Sequence, residues 1–357
     1  MKSILFNNDE LKKFQKIYKG LETTDEFEIM FGGYKKNNNI NLKEFTDLLK
    51  YLKDFSDDNK LKIDHKETLD ISYNYDNNNF HMYRITINGV DEINKLMRSL
   101  HNKPNHIIFS ILISMFLNEN NKNLSIINKK KNFENTYDLE EYDIRVRLSK
   151  EEKVSKKELQ DLMELKNINK MSINFRKKSR VSLTIDSNND VEFVLDLTKV
   201  KQGNDINKII NSPYVFEYEL DFNKKKKLSD KKESEYLDKL NSYILFCKKI
   251  LEQSNHIVSL SEKKLVLSTY NKLLYGEENV SNRSLYGPNV VSLEALHIVE
   301  FLPNNYSITD KADGDRCLGI IINRTLYSIF SNLEVKNSGM ELSTDKFNNS
   351  IIDGEYI

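Results

Sequence analysis

Two pairs of glutamates have a spacing that suggests chemistry. Glu26 and Glu28 lie two residues apart in an apolar segment, and Glu217 and Glu219 repeat the pattern later in the chain. Side chains two residues apart in a strand point to the same face, so each pair would place two carboxylates on one side of a sheet. Gathered carboxylates need cations to offset their repulsion, and Mg²⁺ and Mn²⁺ prefer oxygen ligands. The spacing therefore predicts a metal site formed by these four glutamates.

Basic residues repeat with the same period in two other segments. They are Arg145 and Arg147 in the first, and Arg176, Lys178 and Arg180 in the second. Arginine binds phosphate oxygens bidentately, so a cavity that joins these side chains to a metal site would suit an oligophosphate substrate. Lys150 and Asp196 are further candidates for the same cavity. A solvated sheet face shows similar charge alternation, but two acidic and two basic strands together favour the cavity.

Short alternating runs separated by polar clusters predict that the first part of the chain is rich in antiparallel strands. The candidate strands are Glu26 to Phe31, Leu69 to Tyr75, His81 to Ile87, Tyr142 to Leu148, Met171 to Phe175, Arg180 to Ile185, Val191 to Leu197 and Tyr214 to Phe222. Apolar residues recurring at intervals of three and four predict helices at Asn8 to Lys19, Leu42 to Lys53, Val90 to Leu100 and Lys156 to Leu165.

A second motif stands near the end of the chain. Lys311 begins the sequence Lys-Ala-Asp-Gly-Asp-Arg, which ends at Arg316, and the sequence Asp-Gly-Glu follows at Glu355. A lysine amine can act as a nucleophile where burial or neighbouring cations lower its pKa. A glycine-containing turn with exposed charges is the alternative interpretation. The combination of both sequences favours a functional site.

Length and composition set further bounds. The 357 residues suggest two domains, and 54 basic residues balance 54 acidic ones, so no global positive field holds nucleic acid. The 39% hydrophobic content is that of a folded protein. The longest apolar run is too short to cross a bilayer, and the two cysteines do not have the spacing of metal ligands.

The chain is predicted to contain two domains joined by a linker. We predict a domain at 1–250, a linker with a helical connection at 251–288, and the incomplete start of a second domain at 289–357.

The four charged segments resemble the signature strands of tunnel-fold, metal-dependent triphosphatases. The resemblance implies an α+β fold with an eight-stranded antiparallel tunnel that removes the γ-phosphate of RNA 5′-triphosphate ends. It implies that Glu26, Glu28, Glu217 and Glu219 bind Mg²⁺ or Mn²⁺, and that Arg147, Arg176, Lys178 and Arg180 bind phosphates. Arg145 and Lys150 stay candidates for substrate binding from the residue pattern alone. Met30 departs from the pattern, because many members have an arginine there.

The second motif resembles the nucleophile motif of the covalent nucleotidyltransferases, which comprise mRNA capping guanylyltransferases and polynucleotide ligases. The resemblance implies that Lys311 is the nucleophile and that Asp313, Arg316 and Glu355 contact the nucleotide. A tunnel followed by a guanylyltransferase is the order in multifunctional mRNA capping enzymes of large cytoplasmic DNA viruses, of the Mimivirus type. That family implies GTP and nascent RNA 5′ ends as partners, a methyltransferase domain or subunit, and a location in the host cytoplasm, viral factory or virion.

Two other functions stay open from the sequence. A polynucleotide ligase fragment with an unrelated N-terminal domain would use ATP or NAD instead of GTP. A non-catalytic domain would bind RNA 5′ ends without releasing phosphate. At the given length, the second domain is expected not to complete nucleotidyl transfer.

Overall fold

The structure is a computed structural model that describes residues 8–32, 39–74, 81–117, 123–131, 136–163, 172–277, 285–286, 294–301 and 313–357. The chain divides into two compact units, Met1–Leu251 and Glu252–Ile357. Among the described residues, no helix combines the length and apolar character needed to cross a membrane.

The first unit is built on one antiparallel sheet that closes on itself. Its strands are β1 (Asp25–Phe31), β2 (Ile63–Asn74), β3 (His81–Asn88), β4 (Leu124–Lys131), β5 (Tyr137–Leu139), β6 (Ile144–Lys153), β7 (Ser172–Ser187), β8 (Val191–Gly203) and β9 (Val215–Lys224). The order β1-β9-β8-β7-β2-β3-β4-β6 is closed by pairing of β6 with β1, while the short β5 attaches to β6. The result is the expected eight-stranded antiparallel tunnel.

Helices cover the outside of this barrel. They are α1 (Asn8–Lys19), α2 (Leu42–Asn59), α3 (Val90–Leu100), α4 (Asn105–Leu117), α5 (Lys156–Met163), α6 (Ile206–Asn211) and α7 (Asp230–Glu252). Apolar strand residues point outward beneath them: Phe109 of α4 meets Tyr73 of β2 with ring centroids 4.6 Å apart, and Phe14 of α1 meets Phe27 of β1 at 5.9 Å. The apolar strand residues thus form a core between the barrel and the helices. Because alternate strand residues point to opposite faces, the polar residues between them point into the tunnel.

Two strands of the barrel differ from the sequence prediction. The segments predicted as separate strands at Met171 to Phe175 and Arg180 to Ile185 belong to the single strand β7. The strand β4 was not predicted, because its lysine-rich sequence hides the alternation. The long apolar run is the helix α4, whose Phe109, Leu112 and Ile113 are fully buried in the core.

The second unit contains a smaller antiparallel sheet. Its elements are α8 (Leu260–Tyr275), α9 (Ala295–Phe301), β10 (Asp315–Ile322), β11 (Thr325–Phe330), β12 (Val335–Glu341) and β13 (Ile351–Tyr356). The strand order is β12-β11-β10-β13. Val266 and Tyr270 of α8 share one apolar core with Ile320 and Ile329 of the sheet. The region predicted as a linker, 251–288, therefore contributes a helix to this unit.

Candidate metal and phosphate site

Strands β1 and β9 place their acidic residues side by side on the tunnel wall. The antiparallel register sets Glu28 directly opposite Asp221, and Met30 directly opposite Glu219. The intervening residues Phe27 and Ile29 are buried on the other face of β1. Because these apolar side chains pack outside the barrel, the glutamates that alternate with them share the inner face, as the spacing predicted.

Three carboxylates form a compact cluster on this wall. One oxygen from each of Glu28, Glu219 and Asp221 lies within 4.8 Å of the others. Burial and the carboxylates of Glu28 and Glu217 raise the pKa of Glu219 to about 7. Burial and the neighbouring Asp196 raise the pKa of Asp221 well above its usual range. Crowding of this kind disfavours the charged forms, and a cation would relieve it.

The cluster also fits a hard divalent cation chemically. Its donors are carboxylate oxygens, which Mg²⁺ and Mn²⁺ prefer. The Oδ1 atom of Asp221 is buried and has no hydrogen-bond partner among the described residues. Since a buried acceptor without a partner costs about 1–3 kcal/mol, coordination of a cation would satisfy an atom that the protein itself leaves unsatisfied.

Glu26 and Glu217, the two other predicted metal ligands, lie outside this cluster and contact cationic side chains. Glu26 forms an ion pair with the buried Lys129 and accepts a hydrogen bond from Ser149 Oγ at 2.9 Å. Glu217 accepts a hydrogen bond from Arg176 Nη2 at 2.5 Å. The structure therefore brings together one member of each predicted glutamate pair.

Asp221 is the member of the cluster that the sequence reasoning missed. It continues the alternation of Glu217 and Glu219 by one further step in the same strand. This extension was a usable signal, because residues two apart share a face.

Arg180 lies beside the acidic cluster. Its Nη2 is 3.4 Å from Glu219 Oε2, its Nη1 is 2.5 Å from Asp196 Oδ2, and its Nε donates to Thr198 Oγ1 at 3.0 Å. Burial opposes the positive charge, but Asp196 and Glu219 outweigh it and raise the pKa of Arg180. A permanently charged guanidinium is therefore fixed next to the candidate metal ligands.

Arg147 borders the cluster from β6. Its Nη1 lies 3.5 Å from Glu28 Oε2, and about a third of its side chain is exposed. Together with Arg176, which contacts Glu217, and Arg180, it places guanidinium groups around the carboxylates. Such groups match the oxygens of a phosphate chain in charge and geometry.

Lys178 is buried and paired with Asp70, a buried residue that the sequence analysis did not single out. Its Nζ lies 2.6 Å from Asp70 Oδ2, while Thr86 Oγ1 donates to Asp70 Oδ1 at 2.8 Å. Burial and the nearby Arg176 lower the pKa of Lys178. Burial opposes ionisation of Asp70, but Lys178 and Arg84 outweigh it and lower the pKa of Asp70 to about 2.

A further buried ion network lines β3, β4 and β6. Arg84 pairs with Glu151, and Lys129 pairs with both Glu26 and Glu151, the latter at 3.5 Å. Burial opposes the charge of Lys129, but Glu28 and Glu26 outweigh it and raise its pKa. The partners of Lys129 and Arg84 lie on strands that are distant in sequence, so the spacing did not indicate that these charges meet.

Two predicted phosphate-binding residues are placed differently from the rest. Arg145 shares its strand face with Arg147, but its guanidinium forms a two-point ion pair with Asp138 of β5, at 2.6 and 3.0 Å. Lys150 lies on the opposite face of β6 and contacts Glu22 at 3.3 Å. The odd spacing from Arg147 to Lys150 turns the lysine away from the tunnel.

Met30 occupies the inward face between the candidate ligands and the arginines. It is 4% exposed and lies directly opposite Glu219 on one side and Arg145 on the other. A thioether carries no charge for a phosphate. Any phosphate contact at this level of the tunnel must therefore come from neighbouring strands.

In the second unit, the two short motifs predicted to act together lie on adjacent strands. The pairing of β10 with β13 sets Arg316 directly opposite Glu355. The Arg316 guanidinium binds Asp353 through Nη2–Oδ2 at 2.8 Å and Nε–Oδ1 at 3.3 Å. Lys311 lies outside the described residues.

The glycine between these motif residues permits a close approach of two backbones. Gly314 N donates to Glu355 Oε2 at 3.2 Å, and a Cβ atom at Gly314 would collide with the carbonyl oxygen of Tyr356. Asp313 is exposed at the start of this segment. The described parts of the two motifs, Asp313 to Arg316 and Asp353 to Glu355, are thus connected by hydrogen bonds at the strand ends.

The closed tunnel with its charged interior defines the fold class of the first unit as that of the triphosphatase tunnels. The structure matches the RNA triphosphatase domain of a trifunctional mimivirus mRNA capping enzyme with a TM-score of 0.54 and 21% identity, over 69% of this chain and 98% of that domain. A monoclinic structure of the mimivirus capping enzyme triphosphatase matches with a TM-score of 0.55 and 20% identity, over 70% and 99% of the two chains.

The sequence is similar to a particular capping enzyme. It is 25% identical over 362 aligned residues to a probable mRNA-capping enzyme of Acanthamoeba polyphaga mimivirus, and the alignment covers 99% of this chain. The chain spans 28% of the length of that relative. No protein-family model matches the sequence. The expected resemblance to viral capping enzymes of the Mimivirus type is therefore confirmed along the whole chain.

Proposed function

We propose that the first unit is a metal-dependent RNA 5′-triphosphatase that prepares transcripts for capping. The observation that carries this proposal is the cluster of Glu28, Glu219 and Asp221, bordered by Arg147 and Arg180 inside a closed tunnel. Carboxylates beside guanidinium groups suit a substrate that brings both a divalent cation and a chain of phosphates. The names of the similar proteins, a capping enzyme and its triphosphatase domain, support the same function.

Glu28, Glu219 and Asp221 would hold Mg²⁺ or Mn²⁺. When bound, such an ion polarises phosphoryl oxygens and offsets their charge. Arg180 and Arg147 would bind the phosphate oxygens and stabilise the charge that develops on them. Asp196 positions Arg180 through their 2.5 Å contact, so the guanidinium needs little reorganisation when the substrate arrives.

The reaction is an in-line displacement at the γ-phosphorus. Water forms a new O–P bond and gives up a proton, while the bond from the γ-phosphorus to the bridging oxygen of the β-phosphate breaks. The products are an RNA 5′-diphosphate and orthophosphate. Residues of the carboxylate cluster are placed to accept the proton of the water or to orient it.

For the second unit, we propose that it belongs to a GTP:RNA guanylyltransferase. Lys311 would attack the α-phosphorus of GTP, forming an N–P bond and releasing pyrophosphate, and Arg316, Asp313 and Glu355 would contact the nucleotide. The juxtaposition of Arg316 and Glu355 on β10 and β13 supports this assignment. The partners would be GTP, the 5′ end of nascent RNA and a methyltransferase, in the host cytoplasm, viral factory or virion.

The first test is release of γ-phosphate from 5′-triphosphate RNA and from ATP with Mg²⁺ or Mn²⁺. Wild-type protein is expected to release orthophosphate only with metal, and Glu219→Gln is expected to release almost none. Glu235→Gln, an exposed residue of α7, is the matched control and should behave as wild type. RNA binding without phosphate release by folded wild-type protein would instead identify a non-catalytic 5′-end-binding domain.

A further inference from the structure

A groove on the outer wall of the barrel carries a cluster of lysines. It has a volume of about 300 Å³ and lies where β7 and β8 meet α6 and the start of β9. Lys177, Lys199 and Lys201 line it, together with Tyr214 and Ile210. The three lysines do not belong to the candidate metal and phosphate site, because they lie on the outer face of strands whose inner face lines the tunnel. Lys178, which also borders the groove, is paired with Asp70.

The lysines in this groove face one another. The register of β7 and β8 sets Lys177 directly opposite Lys201, and Lys199 one pair further along the same face. Like charges placed directly opposite on a sheet are destabilising. Glu67 also lines the groove, but in the described part of the chain no carboxylate lies within 4.0 Å of the three ammonium groups. The protein therefore concentrates positive charge without neutralising it.

An exposed aromatic ring holds two of these ammonium groups in place. Lys199 Nζ lies 4.1 Å and Lys201 Nζ 4.8 Å from the centroid of the Tyr214 ring, which is 49% exposed. Lys201 Nζ also donates to the backbone carbonyl of Ile210 at 2.6 Å. Cation–π contacts and a backbone hydrogen bond fix the charges before any ligand binds, which lowers the entropic cost of binding an anion.

The groove lies at one end of the tunnel. β8 ends at Gly203 and β9 begins at Val215, so Lys201 and Tyr214 stand at the rim of the barrel. On β7, Lys177 points outward while its neighbours Arg176 and Lys178 contact the acidic residues inside. At this point only the strand β7 separates the groove from the charged interior of the tunnel.

We propose that this groove binds the phosphate backbone of the RNA whose 5′ end enters the tunnel, an inference that rests on the proposed triphosphatase function. Unneutralised lysines that a tyrosine ring holds in place offer fixed positive charges for the phosphates of a single strand. The net charge of the chain is zero, so this local patch would supply affinity that the molecule as a whole cannot. An acidic peptide is the competing occupant, and the test separates the two.

The test measures binding of a short 3′-labelled oligouridine with a 5′-hydroxyl end by fluorescence anisotropy. Lys177→Gln/Lys199→Gln/Lys201→Gln is expected to weaken binding on the order of 10-fold to 100-fold at low salt. It should also reduce the slope of log affinity against log salt by about 2, since each phosphate contact on a single strand contributes about 0.7. The corresponding triple arginine variant keeps the charges and should bind as wild type.

The matched control is Lys13→Gln/Lys16→Gln/Lys231→Gln, which removes three exposed lysines from α1 and α7. It should keep wild-type RNA affinity and salt slope. Hydrolysis of ATP, which has no RNA chain, should be equal in wild type and in the groove variant, while the KM for 5′-triphosphate RNA rises in the groove variant alone. If neither substrate is hydrolysed by wild type, the proposed function fails, but the anisotropy measurement still decides whether the groove binds RNA.

Three results would overturn the inference. The first is no measurable binding of oligouridine to wild-type protein. The second is equal RNA affinity in the groove variant and the control variant, with melting temperatures showing both to be folded. The third is displacement of the RNA by polyglutamate at lower concentration than by unlabelled oligouridine, which would assign the groove to an acidic peptide.

Discussion

At the scale of single residues, the tunnel separates negative from positive charge over short distances. Glu28, Glu219 and Asp221 crowd together, while Arg180 and Arg147 stand at their edges. If each carboxylate were paired with one guanidinium group, the charges would cancel at every point of the wall. The excess of carboxylates at one point and of guanidinium groups beside it is the charge distribution that the proposed cation and phosphate chain would require.

Asp70 gives a prediction for stability against pH. Its pKa is lowered to about 2 from 3.8, so its ionised form stabilises the fold above pH 3.8, and this contribution is lost as the pH falls towards 2. A shift of this size corresponds to about 2 kcal/mol. Asp70→Asn should therefore lower the free energy of unfolding at neutral pH, and its difference from wild type should shrink between about pH 4 and pH 2. Urea titrations across this pH range measure the effect.

The surface pair of Asp64 and Lys62 provides the control for Asp70. These side chains are 45% and 81% exposed, and exposed ion pairs contribute about 0–1 kcal/mol. Asp64→Asn should change the free energy of unfolding by less than Asp70→Asn at neutral pH. Equal losses in the two variants would contradict a stabilising role for the buried Asp70–Lys178 pair.

At the scale of elements, alternation in the sequence was enough to predict the acidic strands. β1 and β9 alternate glutamates with large apolar residues, so both their type and their faces could be predicted. β4 could not, because Lys129 to Lys131 interrupt its pattern, and Lys129 is tolerated inside only through its ion pairs with other strands. Local patterns carry no information about partners that are distant in sequence.

Which carboxylates join the acidic cluster is decided by the pairing register of β1 with β6 and β9. This register cannot be predicted from the spacing of the glutamates. Glu26 and Glu28 share a face, but pairing sets Glu26 opposite Ser149 and Glu28 opposite both Arg147 and Asp221. Glu28 therefore lies beside other carboxylates, while Glu26 pairs with Lys129. The glutamate spacing predicted an acidic face, whereas the choice among its members is made by neighbouring strands.

The helix α4 gives a prediction about packing. Phe109 is fully buried against Tyr73, whereas Ile107 on the same helix is 39% exposed. Phe109→Ala should lower the free energy of unfolding by about 3–5 kcal/mol, because it loses burial and leaves a cavity. Ile107→Ala should cost clearly less. Chemical denaturation measures both, and equal costs would contradict the role of α4 as a core helix.

At the scale of the whole molecule, the tunnel closes within the first unit. All eight barrel strands lie between Asp25 and Lys224, and the closing pair β1–β6 belongs to the same unit. A protein comprising residues 1–251 should therefore fold and release γ-phosphate from RNA with a kcat within about 3-fold of the full chain, since all proposed catalytic groups are present. Loss of activity in folded protein would show that the second unit contributes to the reaction.

The most direct test of the central claim is the Mn²⁺ dependence of γ-phosphate release from 5′-triphosphate RNA by wild type and by Asp221→Asn. Asp221→Asn is expected to lower the rate on the order of 100-fold or more and to raise the Mn²⁺ requirement. It should not lower stability in the absence of metal, because the substitution relieves like-charge repulsion. Asp64→Asn serves as the control and should match wild type. An unchanged rate and Mn²⁺ requirement in Asp221→Asn would contradict the assignment of the metal site to Glu28, Glu219 and Asp221.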